Sequence, residues 1–302
     1  MGRAQRRRQR KLAREPLLFT LPERQSEEIP VDQLKNPVWT ENKAKLIERY
    51  LYYFVLVTKH GTYIDGFAGP QQPGKPEMWA AKLVLESEPQ RLRHFFLFDE
   101  LAKQVERLKE LRKTLPPVSG RTIRIYKGDF NVKITALLRK GEVKETEAAF
   151  CLLDQRTFEC HWKTLAKLAS YKGADRPKIE LFYFLAVKWL ARALSAVKDK
   201  KLLQRWWGRS DWSGLRHVGV DEIREKMIDR FRSELGYKSV KAWPIYERKG
   251  SDVVVYYMIH ATDHAEAPKL MARAYNEAVQ PAPVGQQLCL GLDQTPEPGP
   301  VA

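Results

Sequence analysis

The sequence predicts a doubly wound α/β domain with a mainly parallel sheet, a C-terminal antiparallel hairpin and a helical insertion ahead of that hairpin. Three observations lead there. Five apolar, strand-like segments alternate with helical ones, the pattern of βαβ units. The first four end in or just before an acid: Asp65, Asp99, Asp129 and Asp154. Two more strand-like runs, KSVKAWPIYER and SDVVVYYMIHAT, then flank the turn residues Lys249 and Gly250, which is a hairpin signal.

In chain order, residues 1–35 carry Pro16, Pro22 and Pro30 without a sustained apolar period, so they are expected to form a basic, disordered leader. A folded body is expected over 36–278. Within 36–60 a helix is expected. Thr40 is placed to cap it, Leu46, Ile47, Tyr50, Leu51 and Phe54 repeat at helical spacing, and Gly61 stops it. The first strand is TYIDGFAG, followed by a Pro/Gly-rich loop and a helix over Glu77 to Glu86. HFFLFDE is the second strand and LAKQVERLKELRKTL its amphipathic helix. RTIRIYKGD, a helix over Asn131 to Arg139, AAFCLLD and a helix over Trp162 to Ser170 come next. KIELFYFLAVKWL is the fifth strand, although its C-terminal half equally suits the start of a helix. Residues 190–236 read as a basic helical insertion, and PKLMARAYNEAV as a last helix before a disordered tail over 279–302.

Composition narrows the function classes. With 43% hydrophobic and 30% charged residues the chain is an ordinary globular protein, and its 302 residues suit one large domain with appendages. The longest apolar stretches, Leu51 to Val57 and Leu181 to Val187, fall far short of the roughly 20 residues a bilayer requires. No secretory h-region follows the arginine-rich start, and Cys151, Cys160 and Cys289 suit neither a disulfide framework nor a zinc site. A cytoplasmic protein without metal, and without a membrane, is the expectation. Lys and Arg outnumber Asp and Glu by 53 to 37, a net charge of +16, so a polyanionic partner, DNA or RNA, is expected. The opening MGRAQRRRQRKLAR suits a nucleic-acid arm, and equally a solvated tail or an address signal.

The segment Asp65, Gly66, Phe67, Ala68, Gly69 ends a buried run in an acid and a glycine loop. In open α/β sheets ligands bind outside the carboxyl ends of the strands at the switch point, where glycines let the backbone approach them. A carboxylate there suits a positively charged sulfonium better than a pyrophosphate. Asp99 and Glu100, at the second strand end, are placed to accept ribose hydroxyls. Asp129, at the third, is typed to accept an adenine amino group. The separation of Asp65 and Asp99 exceeds the roughly 20 residues of a dinucleotide fingerprint, and the loop Gln71 to Pro76 holds part of the excess. Each acid alone equally suits a helix N-cap.

The fourth strand leads into FCLLDQRTFECHW, the expected chemical centre. Methyl transfer to an exocyclic amine needs an acceptor that orients the lone pair and a flat group that stacks the target. Asp154 and Gln155 suit the first role; Phe158 or Trp162 suits the second. Arg156, a donor only, suits a phosphate, or else an ion pair with Asp154 or Glu159. Cys160 beside His161 reads as packing and not as a nucleophile with its base. In LLQRWWGRSDWSGLRH, Trp206, Trp207 and Trp212 interleave with Arg205, Arg209 and Arg216, the composition of a base-stacking surface, and equally of a helical core stripe.

With YIDGFAGP, FLFDE, GDF and LLDQ, the chain resembles the three-Cys-motif partner family, methyltransferase-like bacterial and phage proteins, over about residues 36–278. The resemblance implies a class I methyltransferase fold. It places Gly66, Gly69, Asp99 and Asp129 around S-adenosylmethionine and Asp154 on the acceptor side, and it implies a partner protein bearing a three-cysteine motif. More distantly, DGFAG and LLD resemble the ribosomal RNA adenine N6-methyltransferases that carry Asp-Pro-Pro-Tyr. Gln155 and Arg156 stand here in place of those prolines, and Gln71 follows Pro70 where a glycine is usual. In the tail, QQLCLGL resembles the short Gln-Leu-x-Leu peptides that dock on bacterial sliding clamps. Two expectations follow: a methyltransferase acting on nucleic acid, or a non-catalytic nucleic-acid-binding or partner subunit that keeps the fold, of a phage or defence-type system.

Overall fold

The computed structural model describes residues 38–278 apart from Pro73, and the side chain of Ala191 is likewise left aside. The basic leader, the clamp-like tail peptide and Cys289 lie outside the described residues. Eight strands form one sheet: β1 (Val38–Trp39), β2 (Gly61–Asp65), β3 (Leu92–Asp99), β4 (Thr122–Lys127), β5 (Ala149–Leu153), β6 (Glu180–Leu185), β7 (Ser239–Tyr246) and β8 (Val254–Thr262). Their spatial order is β1-β7-β8-β6-β5-β2-β3-β4. Every pairing is parallel except β6 with β8 and β8 with β7. The hairpin therefore follows β6 in the sheet, with β1 added at its outer edge, and the chain has the expected class I methyltransferase-like fold.

Nine helices are described: α1 (Lys43–Thr58), α2 (Ala80–Glu86), α3 (Ala102–Thr114), α4 (Phe130–Arg139), α5 (Trp162–Ser170), α6 (Val187–Ala196), α7 (Lys200–Trp207), α8 (Val220–Ser233) and α9 (Ala267–Glu277). Successive strand residues alternate between two cores, and both are apolar, which is why the strands read as continuous apolar runs. Ile64, Phe96, Phe98, Cys151, Leu153 and Tyr183 face α4 to α8. Tyr63, Phe95, Leu97, Phe150, Leu152 and Phe182 face α1, α2, α3 and α9. No helix among the described residues is long and apolar enough to cross a membrane.

Three local expectations are corrected. Val38 and Trp39, expected in the helix, instead extend the sheet beside Ile245 and Tyr246. Thr40 does not cap α1; its hydroxyl donates to the Tyr246 carbonyl at 3.2 Å and ties the helix entrance to β7. Gly61 is not the stop either: Lys59, at φ 68°, turns the chain, and Gly61 already opens β2. In KIELFYFLAVKWL the strand ends at Leu185 and α6 begins at Val187, so the helical alternative for its second half is the one realised.

Candidate functional site

The strand order reverses between β2 and β5, so Asp65 and Asp154 stand on either side of the switch point at the carboxyl edge. Asp65 is buried. Its Oδ1 accepts from the Phe67 amide at 3.1 Å and its Oδ2 from the Tyr63 hydroxyl at 2.8 Å. Burial raises the Asp65 carboxyl to about 7; its two hydrogen bonds oppose that rise, and the charges of Asp154 and Asp99 add to it. The carboxylates at the tips of β3 and β5 thus act on the one at the tip of β2.

Asp99 holds the glycine loop. Its Oδ2 accepts from the Gly69 amide at 3.0 Å, and its Oδ1 from the Leu101 amide at 2.9 Å at the entrance to α3. The loop is anchored further by Ala68 N–H to the Phe98 carbonyl, by Trp79 Nε1–H to the Ala68 carbonyl and by Gln104 to the Pro70 carbonyl. Gly69 is required by close approach: a Cβ there would lie 2.4 Å from Asp99 Oδ2 and 2.5 Å from the Gln104 Cβ. Gly66 is packed less tightly, its missing Cβ 3.2 Å from Leu153 and Phe130. Phe67 stacks at a tilt on Phe130, at 5.9 Å between centroids.

Asp129 has the N-cap alternative realised. Its Oδ1 accepts from the Asn131 amide at 2.7 Å at the start of α4, and the residue is exposed. Asn131 in turn bridges to the β5–α5 loop through the Glu159 carbonyl, the His161 amide and the Thr164 hydroxyl. Glu100 is exposed on the rim.

On the β5 side, the sequence reading missed the partners of Asp154. Lys43 Nζ lies 2.8 and 2.7 Å from its two carboxylate oxygens, and Gln71 Nε2 donates to Oδ2 at 3.0 Å. The Lys43 ammonium also sits 5.0 Å and 4.9 Å from the ring centroids of Phe184 and Tyr256, an aromatic frame of the cation–π kind. Burial, together with the Asp154 charge, pushes the Tyr256 hydroxyl up to about 12. A sequence signal for Lys43 exists: it falls on the apolar stripe of α1 with Leu46, Ile47 and Tyr50, where a cation is out of place unless paired.

Several residues expected at the acceptor are structural instead. Gln155 is buried, with its amide donating to the Phe184 carbonyl at 3.3 Å and its oxygen accepting from the Cys160 amide at 2.8 Å, so both ends of its side chain are engaged inside the fold. Phe158 is buried edge-on against Trp206 at 4.8 Å and offers no open face. Trp162, Trp206, Trp207 and Trp212 are also core. Trp206 donates to the Tyr183 hydroxyl and Trp207 to Asp211, while the guanidinium stacked on Trp162 and Trp207, at 3.7 and 4.3 Å, is that of buried Arg230. The stacking chemistry that the composition suggested is used inside the fold. Arg209 is exposed and pairs with Glu234 at 2.8 Å. Arg156 is exposed and forms no ion pair among the described residues, so the pairing with Asp154 or Glu159 is not realised. Cys151 and Cys160 are buried free thiols pushed up by burial.

No protein-family model matches the chain, and no curated protein matches it. Among solved structures it is similar to M. jannaschii TYW2 in complex with AdoMet, with a TM-score of 0.39 and 13% identity, covering 73% of this chain and 75% of that one. A likeness of that size carries no functional weight.

Proposed function

We propose that the chain is an S-adenosylmethionine-dependent methyltransferase acting on nucleic acid. The observation that carries this reading is the meeting of Asp65, Asp99 and the Gly69 backbone at the switch point of the sheet. The residues fit the group: Gly69 leaves no room for a side chain beside Asp99, and a cation beside Asp99 and the buried Asp65, whose carboxyl is raised by burial, would be favoured. Asp99, with lone pairs beyond those used by Gly69 and Leu101, would accept the ribose hydroxyls, and Asp65 and Phe67 would line the base of the loop. Bound there, the cofactor supplies an electrophilic methyl on a positively charged sulfur. Asp154, next to Asp65, would face the acceptor, and to take an amino hydrogen it must release Gln71 or share its oxygens with Lys43.

A nucleic-acid acceptor is supported by charge. The leader's cations are opposed by Glu15, Glu23, Glu27, Glu28 and Asp32, and the tail adds Asp293 and Glu297, so most of the positive excess belongs to the folded body. Arg156, exposed and without an ion pair among the described residues, suits a phosphate. The test is methyl incorporation from labelled S-adenosylmethionine into DNA or RNA. Wild type should label one of them, and Asp99→Ala and Asp154→Ala should not. Absence of label in both nucleic acids with the wild type removes the reading.

A second reading has its own observation: Asp154 is already bonded to Lys43 and Gln71, while Gln155 and Phe158 belong to the scaffold. On it the chain is a non-catalytic nucleic-acid-binding subunit that works with a three-cysteine-motif protein. Salt-sensitive retention of DNA or RNA without incorporation, at salt slopes reflecting several phosphate contacts, would support it.

A further inference from the structure

At the amino edge of the parallel strands, one strand length (roughly 16 Å) from the acid rim, a second cleft opens. Its volume is about 550 Å³, and it lies between α1 and α9 on one side and the segments entering β5 and β6 on the other. Tyr50, Phe54, Val57 and Leu270 give it an apolar wall; Lys172 and Arg176 line the opposite side.

The two cations are poorly balanced. Lys172 is only 7% exposed, yet its one hydrogen bond is donated to the Glu147 main-chain carbonyl at 2.5 Å, leaving two of its three donors unused. The nearby buried carboxylates are committed elsewhere. Glu147 accepts from the Thr62 hydroxyl and meets His60, and Glu180 is bonded by Tyr50, His260 and Thr262. Arg176 is exposed and has no side-chain partner among the described residues. Burial pushes the Lys172 ammonium down to about 8; the charges of Glu147 and of exposed Glu145, which also lines the cleft, oppose the drop, and the Arg176 charge adds to it. A nearly buried ammonium with two free donors, beside the exposed Arg176 guanidinium and facing an apolar wall, is placed to take an anionic head group, with the charges of Glu145 and Glu147 opposing it.

We infer that this cleft binds a small amphiphilic anion, with an apolar body against Tyr50, Phe54, Val57 and Leu270 and a carboxylate or phosphate head on Lys172 and Arg176. The site is independent of the carboxyl edge.

The experiment titrates the full chain calorimetrically with 2-naphthoate, 2-naphthyl phosphate and the neutral 2-naphthylmethanol. At least one anion should bind saturably, at least about tenfold tighter than the alcohol, and the tighter of the two identifies the head group. Arg176→Gln, at an exposed position, should weaken the anion about tenfold and leave the alcohol unchanged, with an unaltered melting temperature. Val57→Trp, which fills the cleft from a half-buried position, should abolish binding of all three. Saturating S-adenosylmethionine should leave the affinities as they are. Absence of saturable anion binding up to millimolar concentration would overturn the inference. So would an alcohol that binds equally well, an anion affinity unmoved by Arg176→Gln, or displacement by S-adenosylmethionine.

Discussion

On the β2–β3 side of the carboxyl edge, Asp99 holds the Gly69 amide from a half-buried position and keeps lone pairs open toward solvent. On the β5 side, Asp154 is enclosed by Lys43, Gln71, Phe184 and Tyr256, and its neighbours Gln155, Phe158 and Trp162 are committed to the core. The two sides carry similar residue types, yet only the first leaves its strand-end carboxylate available; on the β5 side the exposed group is Arg156. Availability depends on what the rest of the chain brings to the site, here α1 and the insertion between β6 and β7, and neither is adjacent in sequence.

Each perturbation of the β5 side separates scaffold from site. The largest effect is expected from Trp206→Ala, which removes a fully buried ring and its bond to Tyr183. Chemical denaturation should show a loss of about 4 kcal/mol. A base-stacking tryptophan would instead lose nucleic-acid affinity with stability intact.

Lys43→Met comes next. It strands the Asp154 carboxylate in a nearly closed environment, and a loss of about 3 kcal/mol is expected by the same measurement. Lys43→Met combined with Asp154→Asn should recover most of it. If the double variant is no more stable than the single one, the pair is not what holds the β5 side together.

The β2 side is probed by pH. Asp65 has a folded value of about 7, above its usual carboxylate range, so the native state binds the proton more tightly than the unfolded chain does. The stability this gives is present below about pH 4 and is lost as pH rises through 7, an effect on the order of 4 kcal/mol at most. Asp65→Asn should flatten that slope between pH 5 and 8 and raise stability at pH 8 by about 2 kcal/mol. An unchanged slope would mean that Asp65 does not titrate there. The smallest effect belongs to Arg209→Gln, an exposed ion pair with Glu234, whose melting curve should shift by less than about 0.5 kcal/mol.

The sheet was legible because period and punctuation agreed: apolar runs flanked by acids and glycines gave the five parallel strands β2 to β6 and the hairpin, whereas the two-residue β1, lying within the segment read as helix, was missed. The glycine loop was legible for the same reason, since Asp65, Gly69 and Asp99 each sit at a strand end whose position is fixed by the local pattern. The helical spacing of Leu203, Trp206 and Trp207 did announce a core face, but the interleaved arginines pointed the other way. The guanidinium that completes the cluster, Arg230, lies 23 residues beyond Trp207. Lys43 was visible only as a cation on an apolar stripe. Its partner Asp154 is 111 residues away, a pairing that no local pattern reveals.

The central claim is that the tips of β2 and β3 form a site for a cationic nucleoside, and calorimetry with S-adenosylmethionine and its neutral demethylated product tests it directly. The prediction is saturable binding by wild type, retained in Asp154→Asn and lost in Asp99→Ala. At pH 7, S-adenosylmethionine should release more protons than the product does as the sulfonium lowers the Asp65 carboxyl, read from titrations in buffers of different ionisation heat. Binding that survives Asp99→Ala, or no binding at millimolar concentration, would contradict it.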